Sequence, residues 1–149
     1  MSEHRVRVSW QNNAEDLVYE SFNRDHLWTF ESGTEIKASS APSFNGNPDC
    51  VDPEEGLVGA LSSCHMLTFL TISAKKRLVV TSYEDDAVGF LEKNANGKLA
   101  VTRAVLRPKV TWGKNKTPTK EEVESIHQSA HSHCFIANSI LTEVTIESR

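Results

Sequence analysis

"DPEEGLVGALSSCHMLTFLTISAKKR", Asp52 to Arg77, is the stretch whose reading decides the fold. Asp52 suits the cap of a helix, Pro53 its first position, and Glu54 and Glu55 the positive end of its dipole. Lys75, Lys76 and Arg77 sit where that dipole turns negative, so the segment is predicted to be one helix over 54–77. Leu57, Leu61, Cys64, Thr68 and Ile72 fall on one line, while Val58, Leu67, Phe69 and Leu70 lie on other faces. A helix apolar nearly all round needs cover on several sides, which points to the core of an α+β domain or of a dimer. Its apolar stretch, Leu57–Ile72, is short for a membrane span and carries Ser62, Ser63, His65 and Thr68, which points to water-soluble protein.

Working outward, the segment before the helix reads as a loop, because "SAPSFNGNPDCVDPEEG" is dense in Pro, Gly, Asn and Ser. The runs "RVRVSW", "LVYESF", "LWTFES" and "EIKASS" precede it and are predicted to form an antiparallel meander. After the helix, "LVVTSYEDDAVGFLEK" and "KLAVTRAVLRPKVTWG" read as strand regions joined by a turn through Asn96 and Gly97. Thr119 and Glu122 have capping-box spacing and open a second helix with a stripe of Val123, Ile126, His127, Ala130 and Cys134. A short helical turn at "ANSI" and a final strand, "TEVTIE", close a chain expected to be a single domain over 1–149.

The 149 residues suffice for one domain with its own core, and 38% hydrophobic with 24% charged residues is a globular balance. A formal charge of −4 supplies no basic excess to displace counterions from phosphates, which excludes an electrostatic grip on nucleic acid. "MSEHRVRVSWQ" lacks the apolar segment and cleavage site of a secretory signal, so a cytoplasmic protein is expected. Three cysteines are too few for a disulfide framework and are read as free thiols, ligands or redox partners.

Cys64 and Cys134 each lie on an apolar helical stripe beside a histidine, and the two thiols meet if the helices pack by those stripes. Chemistry alone leaves three readings open. The pair is two inert core residues, which could also line an apolar ligand pocket, or a redox couple, or part of a zinc site with His127 and His131. The zinc signal is weak, because neither CxxC nor HExxH is present. A reactive Cys64 lies too deep in its helix for help from the N-terminal dipole and needs a cation nearby. Arg24 in "NRDH" is one such cation, and Glu54 has the chemistry to orient it.

These segments together resemble the OsmC/Ohr family of osmotically inducible and organic hydroperoxide resistance proteins. The resemblance rests on "DPEEGLVGALSSCHMLTFL" and "SAHSHCFIANSI", supported by "RDH", "SSAPSFNG" and "LRPKV", and covers nearly the whole chain. Cys134 is followed by Phe135 where some members have proline, which is similar to the OsmC-like branch. The resemblance implies antiparallel sheets wrapped around the central helix in an intertwined homodimer, with a site shared between subunits. It implies a two-cysteine hydroperoxide reductase acting in oxidative stress defence, with Cys64 as the peroxidatic thiol and Cys134 as the resolving one. Arg24 and Glu54 would then activate the thiolate. No metal or organic cofactor is implied; the substrate would be a hydroperoxide and the reductant an external, lipoyl-type dithiol. Cys50 receives no role.

Overall fold

The computed structural model describes residues 1–114 and 116–149, and its contacts gather into two units, residues 1–56 and 57–149. The first unit holds an antiparallel sheet in the order β1 (Val6–Ser9), β2 (His26–Phe30) and β3 (Glu35–Ala38). The expected strand at "LVYESF" is absent from this sheet. Residues 17–22 form a turn instead, in which the amides of Ser21 and Phe22 donate to the carbonyl of Val18. The loop after β3 contains a 3₁₀ turn at Pro42–Phe44 and leads into α1 (Pro53–Lys75).

The start of α1 follows the sequence reading. The Asp52 carboxylate accepts from the amide of Glu55 at 2.8 Å, and the Glu55 carboxylate accepts from the amide of Asp52 at 3.0 Å, a reciprocal cap. Gly56 is required by packing, since a Cβ there would lie 2.6 Å from the Trp28 ring. By length and composition alone this 23-residue helix is long and apolar enough to cross a membrane, more so than the Leu57–Ile72 stretch suggests.

In the second unit, α1 buries Leu61, His65, Phe69 and Ser73, a line at four-residue steps. The expected line through Cys64, Thr68 and Ile72 lies beside it and is only partly covered. Each of the two expected strand regions breaks in the middle. The first gives β4 (Val80–Asp85) and β5 (Val88–Lys93), and the second gives β6 (Leu99–Leu106) and β7 (Pro108–Trp112). β4 pairs with β7, while β5, β6 and β8 (Glu143–Ile146) form a second sheet in which the β6–β8 pair is parallel. Gly97, at φ 72°, supplies the left-handed residue of the β5–β6 hairpin.

The second helix, α2 (Lys120–His133), opens on the expected capping box. The Thr119 hydroxyl accepts from the amide of Glu122, whose carboxylate accepts from the amide of Thr119. Replacing Thr119 with alanine is expected to cost about 1 kcal/mol, read as a fall of a few degrees in Tm with the fold retained. Two apolar clusters complete this unit. One gathers Leu61, Ala104, Leu106 and Cys134; the other gathers Phe69, Leu78, Ile126 and Ala130. Going forward along α1 from Leu61 to Phe69 therefore matches going backward along α2 from Cys134 to Ile126, so the helices run antiparallel where they meet.

Candidate active site

Cys64 and Cys134 are free thiols brought together by this packing. Cys64, half-buried on α1, packs against the cluster that contains Cys134. Cys134 caps the C-terminus of α2 and is fully buried. Its Sγ accepts from the amide of Ala137 at 3.4 Å, a bond supplied by the short 3₁₀ turn Ala137–Ser139. Burial pushes the Cys134 thiol up from its ordinary value; the Ala137 amide pulls it back, and the neighbouring Cys64 thiol pushes it up again. Cys134 is thus held as a thiol at neutral pH.

The two cysteines differ in access. Cys64 lines an open cavity of about 920 Å³, whereas Cys134 does not reach it. Most of the exposed wall surface is apolar, with Leu67, Phe135 and Ile136 among its lining residues, but serine, threonine and asparagine side chains and His133 line it too, and Ile72 and Lys75 line its far end along α1. Leu67 and Phe135 are 58% and 81% exposed, so this greasy surface is uncovered in the isolated chain.

Behind Cys64, Ser62 donates to Asp85 Oδ2, and the amide of Arg107 donates to Asp85 Oδ1 at 2.6 Å, which ties α1 to the end of β4 and to the β6–β7 junction. His65 and His127 meet on the buried side of the same helices, with Nε2 of one 3.0 Å from Nδ1 of the other. Neither was singled out from the sequence as a pair. His127 lies on the recognised α2 stripe, but His65 competes with Cys64 for the core face, and only tertiary packing decides that competition.

Arg24 and Glu54, both in the first unit, are not joined there. The Arg24 guanidinium donates to the carbonyls of Tyr19 and Phe22 at 2.7 and 2.9 Å and lies 3.9 Å over the Phe22 ring. Among the described residues it has no carboxylate within ion-pair distance. It lines a separate apolar cavity of about 440 Å³ with Val8, Trp10, Leu17 and Phe22. Glu54 is half-buried in the first turn of α1. The zinc reading loses its support, because among the described residues no three His, Cys, Asp or Glu side chains gather into a metal-sized group. Cys50 sits half-buried in the loop before α1.

The family described as OsmC-like protein matches residues 46–149. An OsmC-like protein of unknown function from Vibrio cholerae is 46% identical, superposes with a TM-score of 0.96 and covers 100% of both chains. The uncharacterized protein YmaD of Bacillus subtilis is 24% identical over 129 residues, 84% of each chain. At the level of fold alone, the organic hydroperoxide resistance protein OhrB of Bacillus subtilis, 13% identical, gives a TM-score of 0.69 over 99% of this chain and 98% of its own.

Proposed function

The chain belongs to the OsmC-like protein family, and from that premise we propose that it is a thiol-dependent peroxidase that reduces organic hydroperoxides with Cys64 and Cys134. The observation that carries this reading is the unequal access of two neighbouring free thiols, one lining an apolar cavity and the other sealed behind it.

In this reaction the Cys64 thiolate attacks the terminal peroxide oxygen. The O–O bond breaks, the alkoxide takes a proton and leaves as an alcohol, and Cys64 becomes a sulfenic acid. The Cys134 thiol then attacks the sulfenate sulfur, water leaves, and a disulfide joins α1 to α2. An external dithiol reduces that disulfide by exchange through a mixed intermediate, restoring both thiols. Hydrogen peroxide follows the same path with water in place of the alcohol. The apolar walls around Cys64 favour an organic substituent, because burying it removes apolar surface from water.

The roles of Arg24 and Glu54 rest on the resemblance of "RDH" and of the Pro-Glu helix start to the family's activating residues. In that role Arg24 would leave the Tyr19 and Phe22 carbonyls to steady the thiolate and the charge that develops on the peroxide oxygens, with Glu54 orienting it. We place the protein in the cytoplasm as a homodimer, a state supported by the uncovered Leu67 and Phe135.

The test is steady-state consumption of an alkyl hydroperoxide and of hydrogen peroxide, each with a lipoyl-type dithiol and with glutathione. Faster turnover of the alkyl hydroperoxide, supported by the dithiol alone, is expected. Saturable binding of the alkyl compound without consumption would replace the enzyme with an apolar-ligand carrier.

A further inference from the structure

The buried contact between His65 and His127 has a geometry that packing alone does not require. The rings are parallel to within 7°, and their centroids lie 5.3 Å apart, which exceeds the 3.0 Å N···N distance by about the width of one imidazole. The rings therefore lie end to end in a shared plane rather than face to face, the arrangement of an in-plane N–H···N hydrogen bond. His65 is fully buried and His127 is 3% exposed. Among the described residues, their outer nitrogens, His65 Nδ1 and His127 Nε2, have no hydrogen-bond partner. Each ring keeps one polar contact among the described residues, and losing it would strand a second nitrogen on each.

The position of this bond matters for the site. On α1 it adjoins Cys64, and Leu61 and Phe69, one turn to either side, belong to different apolar clusters. On α2 it lies two turns before Cys134 on the same stripe. His127 is fixed from a third direction by Phe69, whose ring is 4.4 Å away and which also packs on Tyr83 and Trp112. Between the two clusters, it is a buried polar contact that joins α1 to α2.

We propose that His65 and His127 are positioning residues: their in-plane hydrogen bond holds α1 and α2 at the spacing from which Cys64 and Cys134 close a disulfide. The proposal rests on the two-cysteine reading of the site for its role in turnover, but the spacing itself is a property of the fold. Burial holds both imidazoles far below their ordinary value, at about 4, with His127 and His131 adding to the effect on His65 and Asp85 opposing it. The pair is neutral at physiological pH, and the contact is a hydrogen bond when one ring carries its proton on the contacting nitrogen and the other ring carries its proton on the outer one.

The bond joins specific atoms, which makes the test specific. Asparagine places its amide near the position of a histidine Nδ1, and glutamine near that of Nε2. Retention of the contact is thus expected from His127→Asn and from His65→Gln, and loss from His127→Gln and from His127→Leu. Each variant is made in the full chain with Cys50→Ser and equilibrated in glutathione buffers of graded ratio. In that exchange, two protein thiols and one glutathione disulfide give the protein disulfide and two glutathiones. Intact mass reads the fraction of Cys64–Cys134 disulfide, and circular dichroism reads the fold.

The equilibrium constant for disulfide formation is expected to fall about tenfold in His127→Leu and His127→Gln and to stay within about twofold of the parent in His127→Asn and His65→Gln. Equal constants in His127→Gln and His127→Asn, both folded, would overturn the proposal, and so would a parent-like constant in a folded His127→Leu. Should the leucine variant unfold, the comparison between asparagine and glutamine carries the test. Because the exchange involves no peroxide, a parent chain that fails to consume hydroperoxide yet shows this order of variants removes the peroxidase reading and leaves the positioning role standing.

Discussion

Replacing Cys64 with serine is expected to abolish hydroperoxide turnover, with kcat/KM falling by at least about a thousandfold, while the fold persists. The hydroxyl that replaces the thiol cannot ionise near neutral pH and cannot cycle through a sulfenate, so the loss falls on the chemical step and not on binding. Cys134→Ser is expected to behave differently. Cys64 still meets peroxide in the cavity, so the first turnover proceeds, but its sulfenate has no neighbouring thiol to condense with. Continued exposure then drives Cys64 up the oxidation ladder to the sulfinic acid, and dithiol-supported turnover decays with each cycle. The burial that excludes Cys134 from the cavity makes the converse outcome, full activity without Cys64, incompatible with this site. Peroxide consumption assays with intact-mass readout on both variants check the pair of expectations.

The second large effect is acid destabilisation. His65 and His127 each titrate near 6.5 in an unfolded chain and at about 4 in the folded one, chiefly because burial disfavours the imidazolium. Between these values the unfolded state binds more protons, so stability rises with pH across that window. The contribution is fully present above about 6.5 and is lost progressively as pH falls to about 4. At 1.36 kcal/mol per pKa unit, the pair accounts for a few kcal/mol, roughly a third of the stability of an ordinary domain; the two contributions do not simply add, because part of the His65 shift is repulsion by His127. Urea unfolding from pH 7 to pH 4 is expected to show a steep fall in stability. The double variant His65→Gln with His127→Asn, which keeps a hydrogen bond and loses both protonation sites, is expected to flatten that fall. An unchanged slope in the double variant would assign the acid sensitivity to other groups.

Much of the framework was legible in the sequence because its signals are local. Asp52 with Glu55 and Thr119 with Glu122 satisfy helix-end amides within four residues, so both helix starts lie where capping chemistry puts them. The hairpin at Gly97 is local in the same sense. The failures are nonlocal. "LVYESF" alternates like a strand, yet alternation stabilises a strand only when a partner strand and a covering face exist, and here Leu17 and Tyr19 remain exposed in a turn. Nothing near β8 in the chain reveals that it runs parallel to β6.

The candidate site divides along the same line. The approach of Cys64 to Cys134 was legible because each cysteine lies on or beside the packed face of its helix. The buried histidine pair was not, because the apolar surface of α1 is nearly continuous, and which of two adjacent residues turns inward depends on what packs against it. The expected pairing of Glu54 with Arg24 is also a nonlocal matter, and in the isolated chain Arg24 spends its donors on the carbonyls of Tyr19 and Phe22.

Rapid-quench intact-mass analysis of the reduced protein mixed with an alkyl hydroperoxide tests most directly whether Cys64 is a peroxide-reactive thiol resolved by Cys134. A sulfenate on Cys64 is expected within the first turnover, converting to a Cys64–Cys134 disulfide with one alcohol released per protein. Slow oxidation of Cys50, Cys64 and Cys134 at comparable rates would contradict it.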